Sequence, residues 1–269
     1  MPYTAVFPGL ALVVGLILGS FYNVCIHRTL TGESVYNPPR SKCPHCGHFL
    51  SWWENIPLLS YALLLGRCRS CREKISWRYP LVEFLGAASA FGLGLSYGPD
   101  PAWAVAMVFT GLAIVVGFIA LARQPMPKRP LWIALPGALV LGPLVMGLPL
   151  TSSLAGAGLG VGILGIVKLL VLRLNSAKNF GIGEILLAGM SGALCGIEGL
   201  PIGLVSALLI QLCAAGFMFL QKKKEPNKLK ILLELTGPAL CAGLVLALIF
   251  GPMAASVNVL TSMQIPIFH

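Results

Sequence analysis

The sequence predicts an all-α, polytopic membrane protein of about eight transmembrane helices with a cytoplasmic zinc-knuckle insertion. Three observations carry the prediction. Of 269 residues, 57% are hydrophobic and only 10% charged, where a soluble domain runs to about 25% charged; mean hydropathy is +0.85. The apolar residues come in long unbroken runs, not in the alternation of an outer-membrane barrel. Two CxxC pairs, Cys43/Cys46 and Cys68/Cys71, lie in the longest polar stretch. At roughly 20 apolar residues per crossing, the chain has room for about eight spans. This composition excludes a soluble globular enzyme, a disordered chain and a nucleic-acid-binding domain, despite a net charge of +10.

The first span is expected near 7–26, since no Lys, Arg, Asp or Glu precedes Arg28. It lacks the basic start of a cleaved secretory signal and reads as an uncleaved span. The cytoplasmic loop then covers 27–79, and the remaining transmembrane helical domain 80–269. Within it, charge-free runs place spans near 80–97, 103–122, 131–149, 153–172, 182–198, 202–220 and 232–251. The run 130–167 exceeds one crossing, and Gly147, Leu148 and Pro149 form the natural break. The glycines at 158–162 and Gly165 read as a helix-packing face, because no strand–turn–helix context supports a nucleotide loop. No internal repeat is evident at this level.

Charge placement sets the orientation. All 19 basic residues fall on one side of these spans, so that side is cytoplasmic and both termini face outward. Topology and contact with anionic lipid account for nearly all of the positive charge. Trp52, Trp53, Trp77 and Tyr79 fit anchors at the inner interface.

Paired CxxC turns each present two thiolates to one tetrahedral ion, a signature of structural zinc. Disulfides compete as a reading, but the cytoplasm is reducing. Four thiolates close the coordination sphere, so His45 and His48 are expected beside the site or facing solvent. Cys25, Cys195, Cys213 and Cys241 lie in or beside apolar spans and read as small hydrophobes.

The stretch GSFYNVCIHR (19–28) and the segment from Asn37 to Glu83 carry a family resemblance. ENIPLLSY, GRCRSC and ISWRYPLVE lie in the latter, in order with the two cysteine pairs. This block resembles the amino-terminal half of the bacterial type IV prepilin peptidases, membrane aspartyl peptidases that also N-methylate their product. The resemblance implies an inner-membrane location, docking of prepilin-like substrates in or near the cysteine loop, and S-adenosylmethionine as methyl donor. It also implies two membrane-embedded catalytic aspartates. Here IALARQPMPK (119–128) aligns with the first catalytic stretch, placing Ala120 at the aspartate and Lys128 at a second acid. GIGEILL (181–187) aligns with the other, placing Glu184 at the aspartate. The chain's single aspartate is Asp100.

An aspartyl peptidase needs two carboxyls sharing one proton. Ala120 cannot titrate, and Glu184 carries its carboxyl one methylene further out. A rebuilt pair would have to use Glu184 with Glu234, because Glu83 belongs to a stretch that active members also have. Glu184 itself reads either as an acid favoured by a helix N-terminus or as a remnant of a substrate groove. Lys128 is a candidate salt-bridge partner for it. The expected function is therefore that of a proteolytically inactive relative that binds prepilin-like helices or another membrane partner. An active peptidase or N-methyltransferase with a non-standard site is the alternative, and a transporter leaves the 19–83 motifs unexplained.

Overall fold

A computed structural model of the chain describes residues 2–34, 40–122, 124–173, 181–220 and 233–263. Arg123, Lys178 and the basic stretch at 222–230 lie outside them. Among the described residues the chain is all-helical apart from short turns and two isolated β-bridges. It forms two compact units, Met1–Pro99 and Asp100–His269.

In the first unit, α1 spans Pro2–Thr31 and α3 spans Arg78–Tyr97. At about 1.5 Å per residue, 30 residues reach about 45 Å, beyond the roughly 30 Å hydrocarbon layer. The helix therefore continues past the apolar run and carries Arg28 in its last turn. The two helices run antiparallel in close contact, and small residues permit it. A Cβ on Gly19 would lie 2.7 Å from the Glu83 Cα, one on Gly86 would lie 2.6 Å from the Gly15 carbonyl oxygen, and Gly94 meets Pro8 and Ala11. Between them lie a short 3-10 turn, Trp52–Asn55, and α2, Leu59–Leu63. Trp52, Leu59, Leu63, Leu65 and Trp77 are exposed large apolar groups, as interfacial residues would be. Trp53 instead stacks under the Arg69 guanidinium at 5.0 Å, and the Tyr79 ring faces Arg78 at 5.2 Å.

The second unit contains α4 (Pro101–Leu121), α5 (Lys128–Val145), α6 (Leu150–Arg173), α7 (Ile182–Leu220) and α8 (Thr236–Met263). Asp100 caps α4: its carboxylate accepts the Ala102 N–H at 2.8 Å, with Pro101 at the first helical position. The break expected at 147–149 falls between α5 and α6, with Gly147 at φ 71°.

Helix α7 is 39 residues long but bends back on itself at Gly196 (φ 67°, ψ −175°). A Cβ on Gly203 would lie 3.2 Å from the Ser191 hydroxyl, whereas 12 residues of straight helix span about 18 Å. The two arms are the spans expected at 182–198 and 202–220. The bend frees backbone groups that lipid cannot satisfy. Ser152 accepts the Ile197 N–H at 3.1 Å, and the Ser153 hydroxyl donates to the Ala193 carbonyl at 2.7 Å.

Four described stretches are long and apolar enough to cross a membrane: Val6–Thr31, Pro101–Leu121, Leu150–Leu172 and Ile182–Phe217. The last contains both arms of the hairpin. The glycine face of α6 differs from the expected one. Gly156 and Gly160 press against the backbone of Gly192 and Ala188, whereas Gly158, Gly162 and Gly165 face open space. Helical spacing of four puts 156 and 160 on one side; the densest run of glycines does not define that side.

Candidate functional site

The insertion is built from two copies of one backbone motif. In the first, Cys43 N–H donates to His48 O, Gly47 N–H to Cys43 O, and Leu50 N–H to Ser41 O. In the second, Cys68 N–H donates to Glu73 O, Arg72 N–H to Cys68 O, and Ile75 N–H to Gly66 O. Every partner is displaced by 25 residues, as are the bridges Lys42–Phe49 and Arg67–Lys74. This corrects the expectation that the chain has no repeat. The two segments share little side-chain identity beyond the cysteines and a preceding basic residue, so the repeat resides in backbone geometry. Gly47 and Arg72, at equivalent places, both have positive φ, 72° and 60°.

The repeat brings Cys43, Cys46, Cys68 and Cys71 together, with all four Sγ atoms within 4.8 Å of one another. Cys43–Cys71 and Cys46–Cys68 are each separated by 3.9 Å. A tetrahedron with metal–sulfur bonds of about 2.3 Å has edges of about 3.8 Å, so the spacing suits a zinc ion. All four thiols are free, so the disulfide reading is not realised. The Cys71 and Ser70 backbone groups pull the Cys68 thiol down to about 7 despite its burial. The neighbouring sulfurs push Cys71 up to about 12, against the pull of the Glu73 backbone. Sulfurs that share protons in this way would give them up to a bound dication. His45 is exposed, and His48 turns to Glu54 at 3.4 Å; neither belongs to the cluster. Burial opposes the Glu54 charge. The Ser51 N–H at 2.7 Å and His48 outweigh that opposition and hold the carboxyl below its ordinary range.

Beside this cluster lies a cavity of about 420 Å³, walled by α1, the insertion and the start of α3. Asn23 is only 2% exposed. Its amide donates to the Tyr79 carbonyl at 2.9 Å, while its Oδ1 has no partner. Glu83, also buried, accepts the Leu58 N–H at 2.8 Å and the Ser20 hydroxyl. Arg78 Nε is a second buried atom without a partner. The sequence reading marked neither Asn23 nor Arg78. The signal was present in GSFYNV and WRYPLVE, polar residues at the ends of apolar runs.

In the second unit, the stretches 119–128 and 181–187 approach one another. Ala120 lies one turn beyond Gly117, whose Cβ position faces Cys241 of α8 at 3.2 Å. Glu184 sits in the first turn of α7, only 8% exposed, and its Oε2 has no hydrogen-bond partner. Its Oε1 lies 3.6 Å from the Cβ position of Gly237, three residues after Glu234. Between them is Met126, buried, with its Cβ 2.8 Å from the Cβ position of Gly183 and its methyl group against Gly237. No ion pair joins Lys128 to Glu184 among the described residues, so that expected tie is not found.

Fold and sites together define a polytopic helical membrane protein with a four-cysteine knuckle module following its first helix. Residues 13–97 match the family described as Bacterial Peptidase A24 N-terminal domain. The chain belongs to the prepilin leader peptidase/N-methyltransferase family. It is 31% identical to the Prepilin leader peptidase/N-methyltransferase of Aeromonas hydrophila over 266 residues, covering 90% of each. It is 37% identical to the "Type 4 prepilin-like proteins leader peptide-processing enzyme" of Escherichia coli O78:H11, over 78% of this chain and 84% of that one. It is 34% identical to the Prepilin leader peptidase/N-methyltransferase of Burkholderia pseudomallei strain 1026b, over 71% of this chain and 70% of the relative. No solved structure matches it significantly.

Proposed function

We propose that this chain is an inner-membrane protein that binds prepilin-like helices, or another membrane partner, without cleaving them. The observation that supports this is the composition of the place where α4, α7 and α8 meet. Met126 is packed there against Gly183 and Gly237 beside the Glu184 carboxyl, and Ala120 stands one turn beyond Gly117 on α4. One carboxyl acting as general base contributes typically about 10²–10⁴-fold, while enzymes commonly reach roughly 10⁶-fold or more. The test is to incubate the purified protein with a prepilin and S-adenosylmethionine and follow mass. Leader loss is not expected. Robust leader loss would sink the reading and point to Glu184 with another acid, most directly Glu234.

The basic loops and the knuckle are assigned to the cytoplasm and both termini to the outer side, from the positive-inside rule. A reporter fused after His269 that is active only in the cytoplasm would contradict that assignment. Cys43, Cys46, Cys68 and Cys71 would hold a structural zinc. With four thiolates the ion has no open position, so it staples the insertion and takes no part in chemistry.

The cavity of the first unit favours a second reading, N-methylation without proteolysis. S-adenosylmethionine would supply the methyl group, and the unpartnered Arg78 Nε on the cavity wall is a donor for its carboxylate. A mass gain of one methyl on an already processed pilin, with no leader loss from the precursor, is the outcome that selects this reading.

A further inference from the structure

The insertion carries an apolar surface beside unpaired cations. Leu59 and Leu63, four residues apart on α2, share one face of that helix and are 51% and 67% exposed. Leu65 follows at 84% and Trp77 at 69%. Hydrogen bonds gather these residues into one unit. The Ile75 N–H donates to the Gly66 carbonyl at 2.8 Å, and the Tyr61 hydroxyl donates to the Ile75 carbonyl at 3.3 Å. Helix α2 is thereby fastened to the segment that leads through Trp77 into α3. Leu65 has φ 51°, a region that favours glycine, and a bulky apolar side chain left in water gains nothing for that strain. Beside it, Arg67 and Lys74 pair across a β-bridge, and both are exposed. Among the described residues no carboxylate pairs with either. Residues 40–78 carry seven basic and two acidic side chains, and one of the two acids, Glu54, is buried.

We infer that this face docks on an anionic lipid bilayer. Leu59, Leu63, Leu65 and Trp77 enter the boundary between acyl chains and headgroups, and Arg67 and Lys74 meet lipid phosphates. Three observations select a lipid surface as the occupant. The patch adjoins a membrane helix, because Trp77 is the residue from which α3 starts, and tryptophan favours the membrane–water boundary. Its charge complements an acidic leaflet, which attracts each nearby Lys or Arg. Apolar side chains beside cations are also the composition of segments that lie in a membrane interface. An apolar helix of a second copy would match the leucines but would leave Arg67 and Lys74 without a counter-charge. The inference rests on the proposed inner-face position of the insertion and needs no bound helix. Docking holds the cysteine module at α2 as well as at α1 and α3, so lipid composition sets the order of α2 and of the second knuckle fastened to it.

The experiment places the full chain in nanodiscs of phosphatidylcholine, with or without phosphatidylglycerol. It follows amide hydrogen exchange at Ala62, Leu64 and Leu65, whose N–H groups donate to the Leu58, Ser60 and Ala62 carbonyls of α2. Both leaflets of a disc share one composition, so the result does not depend on orientation in the cell, which the reporter after His269 checks separately. Zinc content reports the integrity of each variant. A surface that binds only the folded α2 slows its opening by mass action. Exchange is expected to be roughly tenfold or more slower in the anionic discs, as for two cations near a charged surface. Arg67→Gln with Lys74→Gln should erase the difference, and Leu63→Glu should return exchange in anionic discs to the zwitterionic rate. Leu65→Gly relieves the strained φ, so a Leu65 with a purely structural role would leave α2 protected as before or better. Docking instead makes exchange faster in anionic discs at unchanged zinc content. Equal exchange in the two lipids, a difference that survives the double glutamine variant, or full protection in Leu65→Gly overturns the inference. Protection that is the same in both lipids and arises only in discs holding two chains assigns the face to a second copy and overturns it as well.

Discussion

Arg72 occupies the left-handed region at φ 60°, where its counterpart in the first knuckle is Gly47. An L-residue pays roughly 1–2 kcal/mol there, partly offset by the greater freedom glycine loses on folding. Arg72→Gly is thus expected to stabilise the insertion by up to about 1 kcal/mol, read as slower zinc release to a chelator. Glu54 carries a pH dependence of the opposite kind to a histidine switch. Its folded carboxyl titrates below the ordinary value of 4.5 because the Ser51 N–H and His48 favour the charged form over the cost of burial. Stability from this group is fully present above that ordinary value and is lost as the pH falls through the lower folded one. With zinc bound, tryptophan fluorescence of the unmodified chain should titrate in that acidic window, and Glu54→Gln should flatten that component.

At the scale of elements, helix contacts depend on glycines whose importance the sequence only half reveals. Gly15 and Gly86 let α1 and α3 touch backbone to backbone. Gly86→Leu should cost on the order of 1–3 kcal/mol by overpacking and lower the melting temperature in detergent. Gly158→Leu, at a position with open space around it, should leave the melting temperature unchanged. Charge-free runs made the spans legible, and paired cysteines made the metal cluster legible, because both signals are local. The two arms about Gly196 were legible too, as separate spans; the packing face of α6 and the doubled knuckle were not, since each depends on which backbone groups meet across elements. The cavity was missed for a related reason. Asn23 and Glu83 are 60 residues apart and gain meaning only when α1 and α3 cross.

For the whole molecule, the decisive question is whether a groove able to take a pair of carboxyls lies between the stretches 119–128 and 181–187. Ala120→Asp with Glu184→Asp supplies two aspartates, yet Met126 still packs against Gly183 and Gly237. The double variant is therefore expected to remain far less active toward a prepilin than an intact relative. Adding Met126→Ala should raise leader removal above the double variant, as measured by mass. Equal rates for the two would show that Met126 does not obstruct the site.

The doubled knuckle has one more consequence. Two halves with matching backbone bonds each contribute two sulfurs to a common centre, so as backbone scaffolds for the ion the two are equivalent. Writing residues 41–50 over positions 66–75 should give an insertion that still coordinates its ion. Short synthetic copies of a single half should pair, two per metal, as a freestanding miniature of the module. The module then reads as a clasp of two like halves joined end to end by the chain between them.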